Sequence, residues 1–177
     1  MGEITEAVKV GVEVIKLVAN SAGSYIDQSK YVSALPPNTD GSALGGWQFK
    51  KAGLRWTQAT DSSWYEFWEV EWDYTVGMKW AHHGQDTEGG LYVDQATLTL
   101  DVGHVPPDFT LTVTQHFPKG PLNLGPPGDP TGAIWALQST ITIEAKGFLG
   151  QLVSWTKNLD CLISGDGTWQ IDRKSVV

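Results

Sequence analysis

The chain has 177 residues, enough for one domain with a sizeable core. Charged residues are 18% and aromatics 11%, with Trp 9 and Gly 20, which is too rich in rings for a disordered chain. The formal net charge is −8, and no basic run is longer than Lys50-Lys51 or Arg173-Lys174. That argues against nucleic acid and strongly anionic membranes as partners and leaves neutral lipid headgroups and sugars open.

In chain order, the first predicted element is an N-terminal amphipathic helix, assigned to residues 1–22. Glu3, Glu6, Lys9, Glu13, Lys16 and Asn20 recur three or four apart, and Ile4, Val8, Ile15 and Val18 belong to a wide apolar face. Its valines and Gly11 are poor helix formers, and Val8 to Val14 also alternates as a strand would. Such a helix needs a partner: its own sheet, another subunit or a lipid interface. The start MGEITEAVKV has no cationic leader and no run of 18 apolar residues occurs. The expectation is a soluble protein with no conventional signal peptide, cytoplasmic or exported by an unconventional route to act at target membranes. Residues 23–46, rich in Ser, Gly, Asn, Pro and Asp, are predicted to be a linker, and 47–177 a β-sandwich domain.

From Trp47 onward the chain alternates with the period of strands. The most pronounced stretch is Trp64 to Ala81, in which Trp68, Val70, Trp72, Tyr74, Val76, Met78 and Trp80 oppose Glu69, Glu71, Asp73, Thr75 and Lys79. Fully extended, it would exceed about 50 Å, so it must bulge or bend, and Gly77 is the internal residue best suited to a bend. Further alternation marks 91–102, 108–117, 133–146, 151–163 and 168–172, with a hairpin turn at Ser164-Gly165-Asp166-Gly167. The predicted fold is mainly β: an antiparallel β-sandwich of about seven strands with the N-terminal helix.

No enzyme signature appears, neither a G-x-S-x-G nor an H-E-x-x-H, and no catalytic residues or cofactor are assigned. Cys161 is the single cysteine, so no intramolecular disulfide forms, and its apolar context predicts a buried side chain. His82 and His83 share a loop with Asp86 and Glu88. Adjacent side chains on an extended chain point apart, so no metal site is assigned. Glu69, Glu71 and Asp73 are expected on a solvated face.

The aromatics carry the main signal. Trp56, Trp68, Trp72, Trp80, Trp135 and Trp169 follow the core pattern. Tyr65 and Phe67 fall on the opposite face, Trp47 is flanked by glycines, and Leu122 and Leu124 sit in the Pro-rich stretch 117–132. These five residues are the candidate membrane- or ligand-binding rim.

The segment Trp64-Tyr65-Glu66-Phe67-Trp68-Glu69-Val70, together with Ile4–Val18, resembles actinoporins and their fungal and bacterial relatives, which are pore-forming β-sandwich proteins. The chain differs from them in lacking their R-G-D tripeptide, in being acidic and in reaching the aromatic cluster early. The resemblance implies rings that hold choline headgroups by cation–π contact and a helix that inserts through Ile4, Val8, Ile15 and Val18 and oligomerises. Three functions stay open: a pore-forming cytolysin or toxin acting on neutral lipid membranes, a carbohydrate-binding lectin-like sandwich, and a self-assembling structural protein. A homo-oligomer is expected in the first and third.

Overall fold

The computed structural model describes residues 12–28, 31–36, 38–60, 70–129, 131–147 and 154–174. The strands among them are β1 Val12–Asn20, β2 Gly23–Gln28, β3 Val32–Ala34, β4 Gln48–Thr60, β5 Val70–Gln85, β6 Leu91–His104, β7 Phe109–Phe117, β8 Leu122–Asn123, β9 Trp135–Gly147, β10 Ser154–Ser164 and β11 Trp169–Lys174. They form two antiparallel sheets. The larger runs β11-β10-β9-β7-β1-β2 with the short β8 added on β9, and the smaller runs β3-β6-β5-β4. Val76, Met78, Val93 and Leu98 from the small sheet meet Leu111, Val113, Ile141, Ile143, Leu159 and Ile163 from the large one in a single core. Each such side chain contributes about 1.5–3 kcal/mol when fully buried, which is what holds the two layers together.

Among the described residues the predicted N-terminal helix is not found. Val12–Asn20 is instead the strand β1, hydrogen-bonded on one side to β2 and on the other to β7, with Leu17 opposite Val113 and Val18 opposite Thr112. The reason lies in the residues that weakened the helix: β-branched side chains lose rotamer freedom in a helix and fit a pleated sheet. Leu17 and Ala19 join the core and Val18 is also buried. Ile15 lies in the same strand, and Ile4 and Val8 fall outside the described residues. Within the stretch predicted to be a linker, β2 and β3 are strands of the two sheets. Among the described residues no helix is long and apolar enough to cross a membrane.

The long alternating run behaves as its pattern demands. Trp72, Tyr74, Val76, Met78 and Trp80 of β5 are buried, while Glu71 and Lys79 are exposed. Against β4 the register is unbroken from Thr60↔Val70 to Gln48↔His82. Against β6 it slips between Asp73 and Tyr74, between Lys79 and Ala81, and between Ala81 and Gly84. These bulges let a 16-residue strand coil around the core. Trp56, Trp135 and Trp169 pack against the core while remaining half-buried, as predicted, and Trp68 lies outside the described residues. Cys161 is buried.

Candidate functional site at the ends of the sandwich

The pairings define two ends. At one end β4 passes to β5 through Thr60 and Val70, which face each other. There too β9 passes to β10 through Lys146 opposite Ser154, and β1 turns into β2 through Asn20 opposite Gly23. The β6–β7 turn joins them, because Phe109 pairs with Gly147 and His104 with Asp73. A cleft of about 220 Å³, lined by Asn20, Gly23, Val102, His104 and Pro107 among others, lies here between residues of the β1–β2 and β6–β7 turns. This is the hairpin end.

An aromatic layer lies just beneath it. Trp72 meets Phe109 edge-on at 5.3 Å and Trp155 edge-on at 5.5 Å, and Tyr74 stacks on Trp155 at 6.4 Å. Edge and stacked contacts of this kind add about 0.5–1.5 kcal/mol each beyond area burial. The Lys157 ammonium stands over the rings of Trp56 at 4.4 Å and Trp155 at 4.7 Å. Burial pushes the Tyr74 phenol far above its ordinary value. Arg55 donates to both carboxylate oxygens of Asp73 at 2.8 Å, which holds Asp73 below the usual carboxylate range. Asp73 is therefore half-buried and paired, whereas Glu71 is solvated as expected and Glu69 lies outside the described residues.

The other end holds Trp47, Leu122 and Leu124. Trp47 is half-buried: its Nε1 donates to the Gly41 carbonyl at 2.9 Å, and its ring covers Gly84 so closely that a Cβ there would come 2.5 Å from Cζ3. It is an anchor for the 41–47 segment. Leu122 is half-buried on β8 and Leu124 is 49% exposed. The Leu124 amide donates to Ile134 O, while Asn123 accepts from the Gly125 and Ile134 amides at 2.8 and 3.1 Å, so this stretch is tied down. Asp86 accepts from the amides of Glu88, Gly89 and Gly90 and from the Tyr92 hydroxyl. Burial would raise the Asp86 carboxyl, but these bonds outweigh it and leave it low; burial, then the bond to Asp86, pushes Tyr92 to about 12.

Of the predicted five-residue rim, Trp47, Leu122 and Leu124 belong to one end, and Tyr65 and Phe67 lie outside the described residues. The sequence also did not single out Tyr31 and Phe49, which are 68% and 67% exposed. Nor did it associate residues 148–153 (FLGQLV) with 61–69. Lys146 opposite Ser154 and Thr60 opposite Val70 put the entrances to both connections at the hairpin end.

His82 and His83 also depart from expectation. His83 adopts φ 62, a left-handed conformation, at the point where β5 slips against β6. That turn brings the two rings together with Nδ1 of each in hydrogen-bond contact. No other side chain completes a ligand set, because no group of three or more His, Cys, Asp and Glu suited to a metal ion occurs among the described residues. Compared with protein-family models, with curated proteins and with solved structures, the chain matches none of them.

Proposed function

We propose that this protein binds lipid interfaces through its hairpin end, as a β-sandwich that adsorbs by its aromatic connections. The observation that carries the reading is that Thr60↔Val70 and Lys146↔Ser154 close at the same end. The sequences they enclose are DSSWYEFWE at 61–69, with the aromatic residues Trp64, Tyr65, Phe67 and Trp68, and FLGQLV at 148–153, with the apolar residues Phe148, Leu149, Leu152 and Val153. Rings with polar edges favour the headgroup region, and aliphatic side chains favour the acyl boundary beneath it. Trp72, Phe109, Trp155 and Tyr74 form a packed aromatic layer near the strand ends from which these sequences leave. Asp61, Glu66 and Glu69 within the first connection favour zwitterionic over anionic lipid, in keeping with the overall charge of −8. Insertion of an N-terminal helix is no part of the proposal, because β1 is an interior strand of the large sheet.

The test is co-sedimentation with phosphatidylcholine vesicles, with dye leakage measured on the same samples. Tyr65→Ser with Phe67→Ser, and separately Phe148→Ser with Leu149→Ser, each lower the partition coefficient by at least about tenfold, since each large apolar side chain is worth about 1.5–3 kcal/mol when buried. Leu124→Ser at the opposite end leaves it unchanged. Wild-type protein that stays in the supernatant, or that binds a glycan array and no vesicle, overturns the proposal.

A further inference from the structure

The end of the sandwich opposite the hairpin connections carries a device independent of membrane binding. His82 is 7% exposed, and its ring lies under the β10–β11 turn: a Cβ on Gly167 would come 2.8 Å from His82 Cε1 and 2.9 Å from Nδ1. The His83 amide donates to Gly165 O of that turn at 2.7 Å, and the Gly165 amide donates to Trp135 O of β9 at 2.8 Å. Lys50 of β4 reaches the same turn, its ammonium donating to Gly167 O at 2.7 Å. Two strands of the small sheet thus hold one turn of the large sheet, and the imidazole pair sits at the joint.

The geometry points to an acid-sensitive clasp: the His82–His83 pair holds β5 to the β10–β11 turn until both rings carry a proton on Nδ1, and then releases it. The chemistry follows from the contact itself. Between two neutral rings, one Nδ1 donates and the other accepts. A first proton taken from water can be shared between them. A second leaves two donors and no acceptor, with two like charges whose ring centroids stand 4.6 Å apart.

The groups facing the pair are His83 on β5 itself, Lys50 from β4 and Asp166 from the β10–β11 turn. Burial, then His83 and Lys50, lower the pKa of His82, and Asp166 opposes them without reversing the result. Asp166 is itself engaged, accepting from Ser164 Oγ and from the Thr168 amide. A histidine whose folded value is depressed contributes fully above its unfolded value of 6.5, and that contribution is lost as pH falls towards the depressed one. Release therefore belongs to mildly acidic conditions.

The experiment is residue-resolved amide hydrogen exchange on the full chain between pH 7 and pH 5, corrected for intrinsic rates. The His83 and Gly165 amides lose protection by about tenfold per pH unit once the second proton binds, while the core amides of Val76 and Ile143 do not change in step. His83→Asn keeps a residue that tolerates the left-handed backbone and removes the ring, so its acid response is weaker than that of the wild type and only the part due to burial of His82 and to Lys50 is left. Ring titration of His82 in the wild type by NMR serves as a readout that needs no variant, with the ring charging below its ordinary value of 6.5. Equal protection at both pH values, an unaltered acid response in His83→Asn, or a His82 ring that charges at its ordinary value overturns the proposal.

Discussion

Gly53 of β4 and Gly77 of β5 face each other across the hairpin so closely that a Cβ on Gly77 would come 2.6 Å from Gly53 Cα and overlap the Ala52 carbonyl oxygen. No side-chain rotation relieves a clash with backbone. Gly77→Ala therefore displaces β4 or strains β5, at a cost of about 3 kcal/mol. Gly45→Ala is the control: a Cβ there meets nothing within 4 Å, and its stability stays within about 0.5 kcal/mol of wild type. Urea unfolding of the two variants measures the difference.

That contact shows what the sequence could convey. The alternation from Trp72 to Trp80 specified a strand with one buried face, and its length called for a bend expected at Gly77, but the register slips at Asp73, Lys79 and Ala81 instead, and Gly77 serves the close approach of β4. β6, β7, β9, β10 and β11 were legible for the same reason, since period 2 is a local signal, whereas the two-residue β8 lies in the Pro-rich stretch read as a loop. β1 was not, because its successive residues Leu17, Val18 and Ala19 are all buried, which erases the period-2 alternation. Glu13, Lys16 and Asn20 happen to fall at helical spacing. The candidate site was harder still. Which connections share an end depends on strand order, and the β9–β10 and β4–β5 connections belong to different sheets. The His82–His83 contact depends on a positive φ at a non-glycine residue, which no periodicity announces.

Among the described residues the core contains one buried side-chain amide. Gln115 Nε2 donates to Ser139 Oγ at 2.8 Å and to Met78 Sδ at 3.1 Å, while its Oε1 has no hydrogen-bond partner among the described residues. A buried acceptor without a donor costs about 1–3 kcal/mol, and removing both polar partners together avoids leaving a new one. The double variant Gln115→Met, Ser139→Ala is expected within about 1 kcal/mol of wild type or more stable than it. Gln115→Ala alone opens a cavity and loses about 2–3 kcal/mol. Thermal denaturation of the three proteins separates a structural polar contact from a dispensable one.

Trp47 tests whether the two ends have separate roles. Its indole covers Gly84 and bonds to Gly41, so Trp47→Ala uncovers one and frees the other. The expected loss is about 3 kcal/mol in unfolding free energy, with unchanged partition onto phosphatidylcholine vesicles at a temperature where the variant remains folded. Weakened vesicle binding by the folded variant would return Trp47 to the binding surface.

Cys161 reports on the core at alkaline pH. Burial raises its thiol to about 11 from 9.0. At pH 8 the folded protein holds on the order of a thousandth of the thiol as thiolate, so alkylation with iodoacetamide follows unfolding instead of direct attack. A group whose folded pKa is raised contributes to stability below its unfolded value, and the contribution is lost as pH climbs through the folded one. The unfolding free energy is therefore expected to decline between about pH 9 and pH 11, and Cys161→Ala, which cannot ionise, to decline less steeply over the same interval. Rapid labelling of the folded wild type at pH 8, with no change in its circular dichroism, would mean that the inner face of β10 is open to solvent.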